Sequence, residues 1–259
     1  MNYIDLNCDM GESFGIYKLG MDHEVINYIT SANIACGFHA GDPQVIDETV
    51  KLARDNSVNI GAHPGFNDLE GFGRRKIDID PDQLINELIY QIGAMKGFCE
   101  ANGVRLSHIK PHGALNNMAS VDEELASAIA KAIKLVDPNL IYVTIAGSKM
   151  EEVGQANGLK IAREAFADRA YNDDGTLVSR KEPDAVLHDS QLIVDRVVKM
   201  VVDGTVVTKG GDELEINPDT ICVHGDNPEA VNLVAKMRET LESNAVKLIS
   251  LEKLINSKA

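Results

Sequence analysis

Tyr3-Ile4-Asp5-Leu6-Asn7-Cys8-Asp9-Met10 alternates with a period of two: Ile4, Leu6, Cys8 and Met10 fall on one face of an extended chain, and Asp5, Asn7 and Asp9 on the other. A solvated edge strand shows the same alternation. Strand and helix signals follow in turn, however, which favours a βα architecture with the apolar face under helices and the polar face in a barrel or crevice. Unpaired polar groups in such a place are unfavourable by on the order of a few kcal/mol each. Three in succession, with Glu12 just beyond the strand, therefore mark a candidate site.

The alternation continues outward from this stretch. Strands are expected at 31–35, 58–62, 106–110, 140–146, 160–165 and 220–223. Helices are expected at 22–29, from Pro43 behind an Asp42 cap, from Asp80 or Asp82 to about Asn102 with Gly103 closing it, and at 121–135, 149–157 and 189–202. A small hairpin, 205–208 with 213–216, precedes the last strand, and a final helix or two run from Pro228 onward. Seven βα units, with polar residues just after the strand ends, predict an irregular seven-stranded TIM-like (β/α) barrel. A doubly wound sheet is the other arrangement of such units. No Pro/Gly/Ser-rich linker divides the 259 residues, so one domain, 1–259, is expected. The polar segment 166–187 is long enough to be a functional loop or lid.

The formal net charge of -15 argues against a nucleic-acid partner. Cys8, Cys36, Cys99 and Cys222 show no paired spacing, as expected of reduced thiols in a cytoplasmic protein. Neither a secretion signal nor a membrane span is legible. Gly147-Ser148-Lys149 lacks the remainder of a phosphate loop, no GxGxxG follows the first strand, and no GxSxG elbow is present. Ordinary nucleotide enzymes and serine hydrolases recede accordingly.

Four of the seven histidines, His39, His63, His112 and His224, come right after expected strand ends, beside or near glycine. A lone histidine is usually structural; four converging with Asp5, Asn7, Asp9 and Glu12 indicate acid, base or oxyanion-donor chemistry, or a divalent metal for which Asp5, Asp9, His39 and His63 are the candidate ligands. Lys110, Arg74, Arg75, Arg169 and Arg180 suit a carboxylate or phosphate, although surface arginines commonly form only weak ion pairs. Glu164, Asp168 and Asp226 suit orientation or proton transfer. Cys36 stands in a glycine-rich turn without a nucleophile signature.

Asp5-Leu6-Asn7-Cys8-Asp9-Met10-Gly11-Glu12 and Ser31-Ala32-Asn33-Ile34-Ala35-Cys36-Gly37-Phe38-His39-Ala40-Gly41-Asp42-Pro43 resemble the LamB/YcsF family. So do Gly61-Ala62-His63-Pro64-Gly65, Gly71-Phe72-Gly73-Arg74-Arg75, Lys110-Pro111-His112-Gly113-Ala114-Leu115, Glu164-Ala165-Phe166-Ala167-Asp168-Arg169-Ala170-Tyr171 and Val223-His224-Gly225-Asp226. Asn116 departs from the family's usual tyrosine. The resemblance implies a barrel similar to sugar deacetylases and a role as the A component of a 5-oxoprolinase, in ATP-dependent opening of 5-oxoproline to L-glutamate. It also implies Mg-ATP and partner subunits B and C. On that basis Asp9 or Glu12 and Asp168 are candidates for base or metal roles, His39, His63 and His112 for polarising the carbonyl, and Lys110 and Arg169 for an anion clamp. Asn7, Asn33, Arg74, Glu164, Tyr171, Arg180 and His224 are the remaining candidates for holding substrate or phosphate. A metal-dependent deacetylase-like hydrolase and a non-catalytic 5-oxoproline-binding subunit stay open as alternatives.

Overall fold

The computed structural model describes residues 2–258. In chain order its elements are β1 (Asn2–Met10), α1 (Asp22–Val25), β2 (Ser31–Ala35), α2 (Pro43–Asp55), β3 (Asn59–His63), α3 (Pro81–Ala101), β4 (Leu106–Ile109), α4 (Gly113–Ala119), α5 (Glu123–Val136) and β5 (Ile141–Ile145). These are followed by α6 (Lys149–Ala156), β6 (Lys160–Phe166), α7 (Ser190–Val202), β7 (Thr205–Val207), β8 (Glu213–Glu215), β9 (Thr220–Val223), α8 (Pro228–Ser243), β10 (Val246–Leu248) and α9 (Leu251–Lys258). Strands β1 to β6 pair in sequence, β6 pairs with β9, and β9 pairs back onto β1, all in parallel. The result is the expected closed seven-stranded barrel. Cys8 lies between Ala32 and Val223 at the closure.

Local chemistry sets the helix starts. Asp42 caps α2 by accepting from the Gln44 and Val45 N–H groups, and Asp80 caps α3 by accepting from Asp82 and Gln83. Pro43 and Pro81 follow these caps, where a missing N–H costs nothing. Ile46, Val50 and Ala53 then turn toward the outer face of the sheet and join Ile4, Leu6, Cys8 and Met10 in the main core.

The interior of the barrel has a separate apolar plug at the N-terminal ends of the strands. Ile141, Val143 and Ala162 meet Leu251, Leu254 and Ile255 of α9 there. Each of these three α9 side chains contributes roughly 1.5–3 kcal/mol by burial. Polar contacts fix α9 across the opening: Lys160 Nζ donates to Asn256 at 2.8 Å, and Lys258 pairs with Asp219. That end is closed, and the opposite end carries the polar residues.

Several elements differ from the sequence expectation. The first helix stops at Val25 instead of reaching residue 29, because Ile26 and Ile29 are buried by a turn that does not continue the helix. The third strand extends to His63. Helix α4, seven residues long, and β10, three residues long beside the start of β1, carry too few turns or alternations to show in periodicity.

Candidate active site

The mouth is built around Lys110, which lies one residue past β4 and is 2 % exposed. Its ammonium is 2.9 Å from Asp9 Oδ1, 2.8 Å from Glu164 Oε1, 3.1 Å from Asn7 Oδ1 and 3.1 Å from Cys222 Sγ. Burial alone would lower the Lys110 pKa, but Asp9, Cys222 and Glu164 carry it well above the usual value. Burial likewise raises Glu164, with Lys110 opposing. For Asp9 burial raises and the charges of His63 and Lys110 lower, leaving its carboxyl well below the usual range. Lys110 is thus an internal counter-ion. Neither it nor Arg169 forms the free anion clamp expected from sequence, since the buried Arg169 guanidinium donates to the Val178 carbonyl at 2.7 Å and the Ala185 carbonyl at 3.4 Å.

Asn33 Nδ2 donates to Asn7 Oδ1 at 2.7 Å and to Asp9 Oδ1 at 2.8 Å. His108, two residues before Lys110 and on the same strand face, supports this layer with Nε2 2.9 Å from Asn33 Oδ1. Burial pushes the His108 pKa down to about 3, so its ring is neutral. His108 was not among the residues expected from sequence, although its spacing of two from Lys110 was the available signal. Gly61 makes room for this ring, because a Cβ there would lie 2.1 Å from His108 Nε2. Asp5 lies lower, accepting from Thr30 Oγ1 at 2.6 Å, Ser31 Oγ at 2.7 Å and Thr220 Oγ1 at 2.5 Å. Burial raises its pKa to about 6 against these hydrogen bonds. With its oxygens held by hydroxyls, Asp5 stands apart from the group of candidate metal ligands at the mouth.

That group consists of Glu12, His39, His63 and His112, whose ligand atoms all lie within 4.8 Å of one another. His63 Nδ1 is 2.7 Å from the Lys110 carbonyl, and its Nε2 is 3.3 Å from Asp9 Oδ2 and 2.9 Å from His112 Nδ1. His112 Nε2 lies 2.8 Å from the Phe72 carbonyl. The His39 ring stacks on His112 with centroids 3.7 Å apart, and both of its nitrogens are buried without a hydrogen-bond partner. Burial drives the His112 pKa down to about 3 and His39 well below its usual value, keeping both neutral. Burial first, then Asp9 and Asp226, pushes Glu12 up to about 8. Gly73, at φ +62°, permits the close packing, since a Cβ would come 2.7 Å from His112 Cδ2.

On the other side of β1, His224 Nδ1 is 3.0 Å from Asp168 Oδ2. Burial would lower the His224 pKa, but the Asp168 hydrogen bond and charge raise it above its ordinary value. The remaining candidates divide between rim and loop. Arg74 and Arg180 are exposed, with Arg74 stacked over Phe72 at 4.9 Å. Arg75 pairs with Asp68, and Asp226 is exposed. The Tyr171 hydroxyl accepts from the Phe166 N–H at 3.0 Å, which ties it to the long loop. Burial pushes the Cys36 thiol up to about 12, so it is no nucleophile at neutral pH. Asn116 is buried with Oδ1 unpartnered. Concavity alone points elsewhere, to a hollow of ≈ 670 Å³ beside Tyr28 and Arg238, but Arg238 there is already paired with Glu242 at 3.1 Å.

The LamB/YcsF family profile matches residues 4–256. This chain belongs to the LamB/YcsF family. Its relatives include a protein of Natranaerobius thermophilus named as the A component of 5-oxoprolinase, 70% identical over 97% of this chain and 98% of that protein. Another of the same name, from Thermococcus sibiricus, is 54% identical over 97% of this chain and 99% of that protein. Among solved structures, the lactam utilization protein of Thermus thermophilus superposes with a TM-score of 0.91 at 42% identity, covering 96% of this chain and 99% of that one. Peptidoglycan deacetylase PdaC of Bacillus subtilis shares the fold, with a TM-score of 0.51 at 13% identity over 99% of this chain and 92% of that one. As a LamB/YcsF protein, the chain thus combines a deacetylase-type barrel with relatives named for 5-oxoprolinase and for lactam utilization. Among the described residues no helix is long and apolar enough to cross a membrane.

Proposed function

We propose that this chain is the A component of an ATP-dependent 5-oxoprolinase, opening the lactam of 5-oxo-L-proline to L-glutamate together with partner subunits B and C. The family relation supports the substrate. The observation that carries the chemistry is the His224–Asp168 pair at the ends of β9 and β6, separated by β1 and Asp9 from the histidine group at the ends of β2, β3 and β4. An unstrained lactam is a poor electrophile, and its hydrolysis needs three things: a polarised carbonyl, a deprotonated water and a protonated leaving nitrogen. His224 suits the last two. Asp168 holds Nδ1, leaving Nε2 to take a proton from the attacking water; the same nitrogen then returns that proton to the lactam nitrogen as the C–N bond breaks. In this reading the His39, His63 and His112 group, across β1 from His224, would polarise the carbonyl.

Phosphoryl transfer from Mg-ATP to the carbonyl oxygen would make the carbonyl carbon a better electrophile for water, with nitrogen still the group that leaves. The acyl phosphate left after C–N cleavage would release phosphate to a second water. The residues of this chain fit a nucleotide only in part: the exposed guanidiniums of Arg74 and Arg180 suit phosphate or substrate carboxylate oxygens, and Lys110 and Arg169 are already engaged. The rest of the nucleotide site is therefore assigned to the partner subunits.

Glutamate release from 5-oxoproline with Mg-ATP tests the reading, comparing this chain alone, the partners alone and the full mixture. Release is expected only from the full mixture, rising with pH through a pKa above 6.5 for His224, and falling by about 10²–10⁴-fold in His224→Gln. Full activity in that variant removes His224 from the chemistry. Tight 5-oxoproline binding by this chain, with release indifferent to its His224, identifies a binding subunit; acetate release from an acetylated substrate without nucleotide identifies the deacetylase alternative.

A further inference from the structure

Two carbonyl oxygens decide the protonation of the histidine group. A carbonyl only accepts, so His63 Nδ1, 2.7 Å from the Lys110 oxygen, carries a hydrogen, and so does His112 Nε2, 2.8 Å from the Phe72 oxygen. In neutral rings the nitrogens left over, His63 Nε2 and His112 Nδ1, each present a lone pair to the other at 2.9 Å. Asp9 Oδ2 adds an acceptor 3.3 Å from the same His63 nitrogen. Acceptors converge in this way only around a cation. A single shared proton would satisfy the His63–His112 contact but leave His39, 0 % exposed, with two orphaned nitrogens.

We propose that His39, His63, His112 and Glu12 bind one divalent transition-metal ion of the zinc class. The four ligand atoms lie within 4.8 Å of one another, and the outer N–H groups of His63 and His112 are fixed on backbone carbonyls, as oriented metal-binding imidazoles usually are. Three imidazole nitrogens and one carboxylate select zinc, cobalt, nickel or iron over magnesium or calcium, which prefer all-oxygen sites. The ion is therefore distinct from the magnesium that would accompany ATP. The proposal does not depend on the lactam reading.

The test is metal stoichiometry on the full chain. Chelator-stripped protein is titrated with Zn²⁺ by calorimetry and with Co²⁺ by visible d–d absorption, with circular dichroism as the check on folding. One equivalent is expected. Loss of a hydrogen-bond partner behind a ligand alone weakens metal sites by about 10–100-fold, so His63→Ala and His112→Ala are each expected to weaken binding by more than ~100-fold. The exposed His23 and His188 serve as controls, and their double alanine variant should bind as wild type does. Should the histidine variants misfold, Glu12→Gln at the partly exposed rim provides the comparison, with weaker binding and a changed cobalt spectrum expected. Folded wild-type protein that takes up no stoichiometric Zn²⁺ or Co²⁺ overturns the proposal, as does an affinity that all folded variants of Glu12, His63 and His112 leave unchanged. Glutamate release is a separate readout, so metal binding without lactam opening, or the converse, tells the two readings apart.

Discussion

Around Asp5, in the lower layer of the barrel, a buried carboxylate accepts from the hydroxyls of Thr30, Ser31 and Thr220. Around Asp9, four residues further along the same face of β1, the carboxylate meets a lysine and a histidine and lies 20% exposed at the mouth. The hydroxyls are neutral dipoles. They offset desolvation only in part, and the Asp5 pKa climbs to about 6. The neighbouring His63 and the Lys110 ammonium more than offset it, and the Asp9 pKa falls well below the usual range. The lower layer, sealed by α9, is thus a hydrogen-bonded floor, whereas the upper layer holds standing charge beside solvent, where substrate chemistry can use it.

The largest expected effect lies in the upper layer. Lys110→Met should destabilise the protein by about 3–5 kcal/mol at neutral pH, because it leaves Asp9 and Glu164 buried against each other without a counter-ion. Urea unfolding measures this, and adding Asp9→Asn should restore part of the loss. A loss below ~1 kcal/mol would show that the charge at the mouth is solvated and break the contrast.

The lower layer should respond to pH with the opposite sign. Asp5 binds its proton more tightly folded than unfolded, so between pH 3.8 and about 6 its contribution to stability falls as pH rises. The gap corresponds to ~3 kcal/mol at 1.36 kcal/mol per pH unit. Asp9, with its folded pKa depressed, contributes stability that is present above the unfolded value of 3.8 and lost as pH falls through its folded pKa. Unfolding free energies of Asp5→Asn and wild type, measured across this range, should therefore converge toward low pH and separate toward pH 6 in favour of the variant. Parallel curves would show that the hydroxyls compensate Asp5 fully.

A smaller change sharpens the same point. Thr220 donates to Asp5 and accepts from Asn7 Nδ2 at 2.7 Å, so it links the floor to the mouth. Thr220→Val keeps the shape and removes the hydroxyl, which should destabilise by about 1–3 kcal/mol and push the Asp5 titration higher, as followed by pH-dependent thermal unfolding. No effect on the Asp5 titration would mean that Thr30 and Ser31 suffice.

Much of this barrel could be read before the fold was known, and the misses have physical causes. Asp42 and Asp80 announced their helices because capping is chemistry between neighbours in the chain. The histidines at strand ends were legible because strand termini are local too. Lys110 looked like a clamp for an incoming anion because its partners Asp9 and Glu164 lie 101 and 54 residues away, and side-chain type says nothing of such pairings. Arg169 and Tyr171 looked available for the same reason, although their polar groups anchor the loop that carries them.

The sequence by itself determined the alternation of strands and helices, the two faces of β1 and the kinds of functional group that stand at the strand ends. Periodicity and capping act over a few residues, and one chain displays them. Tertiary structure decided the closure of β9 onto β1, the sealing of the floor by α9 and the meeting of His63 with His112 nitrogen to nitrogen. Those outcomes depend on distances between atoms far apart in the chain, set by barrel packing as a whole and by the carbonyl that happens to face each ring.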